Sequence, residues 1–341
     1  MASDRPGESS QIEAIFRDES ARLIAWLTRK VGRFDLAEDA VAEAFHEALQ
    51  AWPSQNWPKD PRAWLATTAH RRAVDRMRHQ ARREAESLDE PAVRDSVSDK
   101  APDLDDLLGT SLRDEQLRLV FLCCHPALSA EAQIALTLKA VAGLSTPQIA
   151  RAFLQTEPTV AQRIVRAKNK IRDAVIPFVT PPDSELPARI RSVARVVYLI
   201  FNEGYASNGA DHALSLSLCD DAIRLARLLV QLMPDEPELR GLLALCLLQD
   251  SRREARLDSS GLPIRLQAQD RARWDRRKIS EGEHELDTAL RARRSGPYQC
   301  QAAIAALHAR APDHGSTDWK QIAGLYRILR DHEPSPVVAL N

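Results

Sequence analysis

The 341 residues predict an all-α protein, and three observations carry that prediction. Twenty prolines stand against twelve glycines, and aromatic residues make up only 5%, a balance that suits helices better than a β-sandwich. Ala, Leu, Arg and Glu are abundant, and all four are good helix formers. Apolar residues recur at helical spacing through most of the chain, interrupted by proline-marked or polar breaks. Those breaks divide it into 1–83, 84–113, 114–180 and 187–341. The architecture they suggest is two small helical domains joined by an acidic linker, the second a helix-turn-helix, followed by a helical-repeat domain of tetratricopeptide-like kind. Two or three domains also suit the length, at ~100–200 residues each.

In the first segment Leu36, Ala40, Val41, Ala44, Phe45, Ala48, Leu49 and Trp52 form an apolar stripe, with Glu38, Asp39, Glu43 and Glu47 on the other face. The run "WPSQNWPKDP" (Trp52–Pro61) breaks that helix, and Pro61 opens another, "PRAWLATTAHRRAVDRMRHQARR", ending in a basic tail. Arg71, Arg78 and Arg82 fall on one side of it, with Arg72, Arg76 and Arg83 nearby. Asp75 lies four residues after Arg71, the spacing of a helical ion pair. Trp57 and Trp64 lie beside these cations. Cations interleaved with aromatics suit unstacked, single-stranded nucleic acid, whose bases stack while its phosphates are neutralised. Trp64 also reads as plain core.

From Glu84 to about Glu115 the chain is acidic and poorly periodic, as a solvated linker would be. The third segment ends in "LSTPQIARAFLQTEPTVAQRIVRAKNKI" (Leu144–Ile171), two short helices around a tight turn. Ser145 with Gln148 makes a capping-box pattern at the first, and Thr156 is the expected N-cap of the second. Val160, Ile164, Ala167 and Ile171 give the second helix a buried face. In a helix-turn-helix the early residues of the second helix meet base edges and later cations take phosphates. Thr159, Gln162 and Arg163 are the candidate base readers; Arg166, Lys168 and Lys170 are the candidate phosphate contacts. A cationic solvated face is the plainer account of the same residues.

The last segment is a series of helices. Two stretches, "LARLLVQLMPDEPELRGLLALCLL" and "LYRILRDHEPSPVVALN", each run from an apolar helix through a proline turn towards another, as in helical-hairpin repeats. The end at "PSPVVALN" reads as a helix without a partner, so the array is expected to continue. "FNEGY" (Phe201–Tyr205) fits a helix end with a glycine cap or an internal contact, and Trp274 either anchors an interface or packs locally.

Other properties narrow the function classes. Net charge is −1, so affinity for nucleic acid must come from local patches. The five cysteines lack metal-ligand spacing and are expected to be reduced and buried. No phosphate loop, HExxH or paired nucleophile is apparent, so neither enzyme activity nor cofactor or metal is expected. The N-terminus lacks the pattern of a signal peptide, and no apolar run approaches ~18 residues, so a cytoplasmic protein without membrane contact is expected.

Three motifs together resemble the extracytoplasmic-function (ECF) group of bacterial sigma factors. "DLAEDAVAEAFHEALQAW" (Asp35–Trp52) resembles the region-2 helix that docks on the clamp of RNA polymerase. "PRAWLATTAHRRAVDRMRHQARR" (Pro61–Arg83) resembles the helix that melts and reads the −10 element. "LKAVAGLSTPQIARAFLQTEPTVAQRIVRAKNKI" (Leu138–Ile171) resembles the region-4 helix-turn-helix that reads the −35 element. The tail, with "VVYLIFNEGYASNG" and "GPYQCQAAIAALHA", is similar to the subgroup carrying a large helical extension. The resemblance implies two partners, core polymerase and promoter DNA. Asp39, Glu43 and Glu47 would meet polymerase, and Trp57, Lys59, Arg71, Arg72, Arg76 and Arg78 the −10 strand. Asp103, Asp105 and Asp106 would lie in the path of nascent RNA. Arg71 stands where many members carry asparagine, so a base-holding role does not carry over to it. The extension is expected to contact the sigma domains and modulate them. A one-component regulator with a sensing domain explains the helix-turn-helix and the extension, but leaves the basic helix and the linker without a task. An interaction scaffold is the further alternative.

Overall fold

The computed structural model describes residues 6–55, 57–88, 111–206, 212–258 and 262–332, with 334 and 338. Every named regular element among them is a helix. The chain forms two compact units, 1–193 and 194–341.

In the first unit α1 (Pro6–Val31), α2 (Phe34–Gln55) and α3 (Pro61–Leu88) pack on one another. Their shared core holds Leu23, Trp26 and Leu27 from α1, Ala40, Val41, Ala44 and Trp52 from α2, and Leu65, Ala69 and Ala73 from α3. The α2 stripe is buried as its spacing predicts, except that Leu49 is 41% exposed. Glu38, expected on the solvent face, is instead buried. Helix α2 runs past Trp52 to Gln55, and α3 runs past Arg83 to Leu88. Pro61 opens α3, where its missing N–H costs nothing, and the Asp60 carboxylate accepts from the Ala63 amide at 3.0 Å.

Helix α4 (Ser111–Cys123) begins inside the expected linker and lies against α1, where Arg29 pairs with buried Glu115. Helix α5 (Ala130–Leu136), capped by Ser129, continues into a π-helical turn over Thr137–Val141. That turn ends at Gly143, whose φ is +71° and whose Cα backs onto α1. A Cβ there would stand 2.8 Å from Ser20 Oγ and 3.0 Å from Arg17 Cα, so only glycine allows this approach. Helices α6 (Thr146–Ala152) and α7 (Glu157–Asp173) follow, and α7 touches α2 as well as α5 and α6. Helix α8 (Leu186–Ala206) belongs to the first unit as far as Val193; there Arg189 donates to the Phe121 carbonyl at 2.6 Å.

The second unit continues with α9 (His212–Leu232), α10 (Pro237–Asp250), α11 (Arg276–Arg291), α12 (Pro297–Arg310) and α13 (Trp319–His332). Helix α10 buries most of its residues and lies against α9, α11 and α12, as a central helix must. The first expected hairpin is present as α9–α10. The second begins in α13, and most of its return lies outside the described residues. Gly204 sits inside α8 and caps nothing, because that helix continues to Ala206. Trp274 is buried with the Arg271 guanidinium 4.8 Å from its ring, so it packs locally. The five cysteines are free and buried. Burial is the largest cause raising the Cys124 thiol to about 11. No described helix is long and apolar enough to cross a membrane.

Candidate nucleic-acid interface

The helix-turn-helix is held by the residues its sequence suggests, with one exception. Ser145 Oγ accepts from the Gln148 amide and Gln148 Oε1 from the Ser145 amide, closing the capping box. The turn passes through Leu154 in left-handed backbone, with φ +49°, and the Gln155 amide returns to the Ala150 carbonyl at 2.8 Å. Thr156 has the extended backbone of an N-cap, but its hydroxyl bonds Thr159 Oγ1 at 2.7 Å and no helix amide. On α7, Val160, Ile164, Ala167 and Ile171 are buried, and Thr159, Gln162, Arg166 and Lys170 are exposed. Arg163 is half-buried and donates to Gln155 Oε1 at 2.9 Å. Gln155 was not singled out by the sequence, and nothing in the local pattern marks it; only the turn geometry brings it under Arg163.

Lys168 does not join that row. Its side chain is 11% exposed, and its Nζ donates to Glu38 Oε2 at 2.6 Å and to Asp39 Oδ1 at 2.5 Å. Burial pulls this ammonium downward, but the attraction of Glu38 and the bonds to Asp39 and Glu38 outweigh it, leaving the group above its ordinary value. Lys139, at the π turn, adds a second cation 3.9 Å from Glu38. These two lysines explain how Glu38 is buried as a charge.

The acidic row of α2 is paired on its other side with α3, because the two helices run antiparallel. Glu47 accepts from Arg72 at 2.6 Å and from Arg71 at 3.4 Å. Glu43 pairs with Arg76, and Asp39 accepts from Arg76 at 2.9 Å. Arg71 therefore pairs across helices and not with Asp75 along its own. The hydrogen bond that Arg72 donates to Glu47 is the first cause raising its guanidinium. For Arg76 burial works downward, and the bond to Glu43 with the attraction of both acids overcomes it. The expected polymerase contacts are thus ion-paired with three expected −10 contacts, in two groups along the helix pair. Such pairs between partly exposed groups are worth at most ~1 kcal/mol each.

Arg78 and Lys59 are exposed. Trp57 is half-buried, its ring 5.1 Å from buried Trp52, which also meets Trp64 edge-on at 5.4 Å. A cleft of about 480 Å³ opens between α2, α3 and α7, lined among others by Arg33, Asp39, Arg76, Lys168 and Arg172. The expected acids of the linker, Asp103, Asp105 and Asp106, lie outside the described residues.

Residues 15–83 match the model of sigma-70 region 2, and residues 118–171 that of sigma-70 region 4. These two matches give the chain sigma-70 regions 2 and 4, and with its helical C-terminal extension it fits an ECF sigma factor. Within that extension, residues 189–290 match a family of unknown function, DUF6596. A protein of Rhizobium meliloti, "Uncharacterized protein R00370", is 48% identical over 316 residues, 92% of this chain and 74% of that one. The probable ECF RNA polymerase sigma factor SigI of Mycobacterium tuberculosis is 28% identical over 174 residues; the match covers 50% of this chain and 58% of that protein. No solved structure matches the chain.

Proposed function

We propose that this sigma factor binds core RNA polymerase through the acidic face of α2 and reads the −35 element with the open face of α7. The observation that carries this is the separation of faces on α7: a buried apolar stripe turned to α5 and α6, and Thr159, Gln162, Arg166 and Lys170 on exposed surface. Arg163 is braced by Gln155 and so presents its fork with less freedom to lose on binding. On the −10 side, Lys59 and Arg78 approach the strand from exposed positions, Trp57 supplies a ring, and Arg71, Arg72 and Arg76 exchange α2 carboxylates for phosphates. Unstacking a base costs a few kcal/mol, which these contacts offset. The extension modulates this activity.

Run-off transcription with bacterial core polymerase, on promoters from upstream of its own gene, tests the reading. Initiation should depend on the chain. Arg163→Ala should lower it ~5–150-fold on a cognate −35 element, the worth of one good base contact at about 1–3 kcal/mol. A chain ending at 206 keeps the Arg189 contact to Phe121 and asks what the extension adds. Duplex binding without any polymerase-dependent initiation would sink the proposal.

A further inference from the structure

The connector from α10 to α11 carries more positive charge than its own structure uses. Between Arg252 and Lys278 stand nine Arg or Lys against four Asp or Glu. Elsewhere in the second unit arginines meet carboxylates, as Arg227 meets Glu281, Arg240 meets Glu285 and Arg310 meets Glu283. In the connector, among the described residues, only Arg253 and Lys278 form such pairs, with Asp220 and Asp250. Asp258, Asp270 and Asp275 instead accept from backbone amides of the connector and of α11. Arg265, Arg273, Arg276 and Arg277 are exposed, and none meets a carboxylate among the described residues.

These cations are also drawn together. The Asp275 amide donates to the Ser251 carbonyl at 2.8 Å, so the connector returns to its start and brings Arg276 back towards Arg252. Arg252 is fixed by donating to the Tyr205 phenol oxygen at 2.7 Å, and Arg271 by the His308 and Ala311 carbonyls. Burial lowers the Arg271 guanidinium, Asp313 draws it up, and Arg252 and Arg276 push it down again. Arg276, Arg277 and Lys278 fill the first turn of α11 with no acid among them, at the helix end whose dipole favours anions and repels cations. Each placement costs stability in the free chain, and an anion laid across the connector relieves all of them.

We propose that this connector is a further nucleic-acid surface, gripping the phosphate backbone of duplex DNA outside the −35 and −10 elements. The inference rests on the promoter reading above. Leu262 is the one large apolar side chain that the described connector exposes, whereas protein interfaces centre on an apolar patch. Nucleic-acid interfaces are polar and strongly positive, and arginine forks match phosphate oxygens. Arg265 and Arg273 lie on short 3-10 turns, and Arg276 and Arg277 at a helix start. None of these presents a long face to enter a groove, so contact is to the backbone and carries no sequence preference.

The test combines Arg273→Gln, Arg276→Gln and Arg277→Gln in the full chain. Fluorescence anisotropy reads binding to a duplex limited to the −35 element and to one with long flanks of unrelated sequence. On the flanked duplex the variant's log–log salt slope should fall by about 3, one per phosphate contact, and its affinity roughly tenfold. On the short duplex variant and wild type should agree. Arginine-to-lysine changes at the same positions should keep the slope. The thermal midpoint of the glutamine variant should hold or rise, since cations leave the positive end of α11. An unchanged slope on the flanked duplex would overturn the proposal. So would a fallen midpoint with unchanged DNA binding, which makes the arginines structural. Lost binding to core polymerase with DNA binding intact would assign the surface to an acidic protein instead. Should wild type favour no −35 sequence on the short duplex, the promoter reading fails, and the slope on the flanked duplex still decides for or against this surface.

Discussion

Gly241→Ala should destabilise the extension, although the same change in most helices would stabilise it. Gly241 lies on α10 where α12 crosses. A Cβ at that position would stand 2.6 Å from Gln299 Cγ, 2.8 Å from its amide nitrogen and 3.0 Å from its Cα. Ordinary carbon contacts lie at ~3.5–4.0 Å. The Gln299 side chain can swing away, but its backbone cannot, so the two helices must part by roughly 0.5–1 Å to restore normal contact. Swinging the side chain also breaks the bonds from Gln299 Nε2 to Glu238 Oε2 and the Arg294 carbonyl, at 3.0 and 2.8 Å. Overpacking costs about 1–3 kcal/mol and each lost hydrogen bond about 1, while alanine returns up to ~1 in helix propensity. The net loss is therefore about 2–4 kcal/mol. Gly324→Ala on α13 is the internal control: nothing lies within 4 Å of the added methyl, so it should stabilise by about 0.5–1 kcal/mol. Hydrogen exchange of the intact chain reads both, since faster exchange in α10 and α12 is expected from the first variant and slower exchange in α13 from the second. Unchanged or increased protection of α10 and α12 in Gly241→Ala would refute the steric reasoning.

Two further outcomes follow from charge. Burial is the first cause holding the His308 imidazole down at about 4, with Arg252, Arg271 and His314 adding repulsion. Between the ordinary 6.5 and about 4 the unfolded chain takes the proton and the folded one does not. Stability of the extension should therefore fall as pH drops through that interval, with a slope of at most about 1.4 kcal/mol per pH unit. His308→Gln should flatten that slope in denaturant titrations, and an unchanged slope would assign it to other groups. The salt dependence of −35 duplex binding by the free chain tests which α7 cations meet phosphate. Lys170→Met should reduce the log–log slope by about 1, and Lys168→Met should leave it unchanged.

What the sequence made legible on α7 was the face, and what it hid was the flank. At 3.6 residues per turn, Val160, Ile164, Ala167 and Ile171 define a stripe that the structure buries, so periodicity sufficed there. The same arithmetic puts Arg163, Arg166 and Lys170 roughly 70–130° to one side of that stripe and Lys168 roughly 70° to the other. Lys168 could thus have been separated from the phosphate row by angle alone, though its partners could not have been named. Glu38 and Asp39 lie about 130 residues away, and only the folding of α7 against α2 brings them within reach. Thr156 shows the opposite limit: residue type and backbone fit an N-cap, but a nearer hydroxyl on Thr159 took its hydrogen bond. Of the two readings of Phe201–Tyr205, the glycine-capped helix end does not hold, since the helix runs on past Gly204 to Ala206. Local rules predict local geometry, and for Lys168 they failed because its partners come from outside the window.

The acidic row on α2 offsets part of the cationic surface of α3 within the first unit. Asp39, Glu43 and Glu47 recur every four residues, and the cations of α3 that pair with them, Arg72 and Arg76, recur at the same interval on an antiparallel helix. That match of period and direction lets one row of acids neutralise the row of cations opposite. Lys168 then closes the end of the row from α7, through Asp39. Each group offered to DNA or to polymerase in the proposed function must first leave a partner within the chain, so the free energy of a new phosphate or clamp contact is reduced by the pair it replaces. An exchange of this kind discriminates against a lone anion or a lone cation, because either would free one member of a pair and leave the other uncompensated. A partner that supplies phosphates to α3 while supplying cations to α2 satisfies both rows at once. Promoter DNA held by polymerase is a partner of that composition, and neither component alone is.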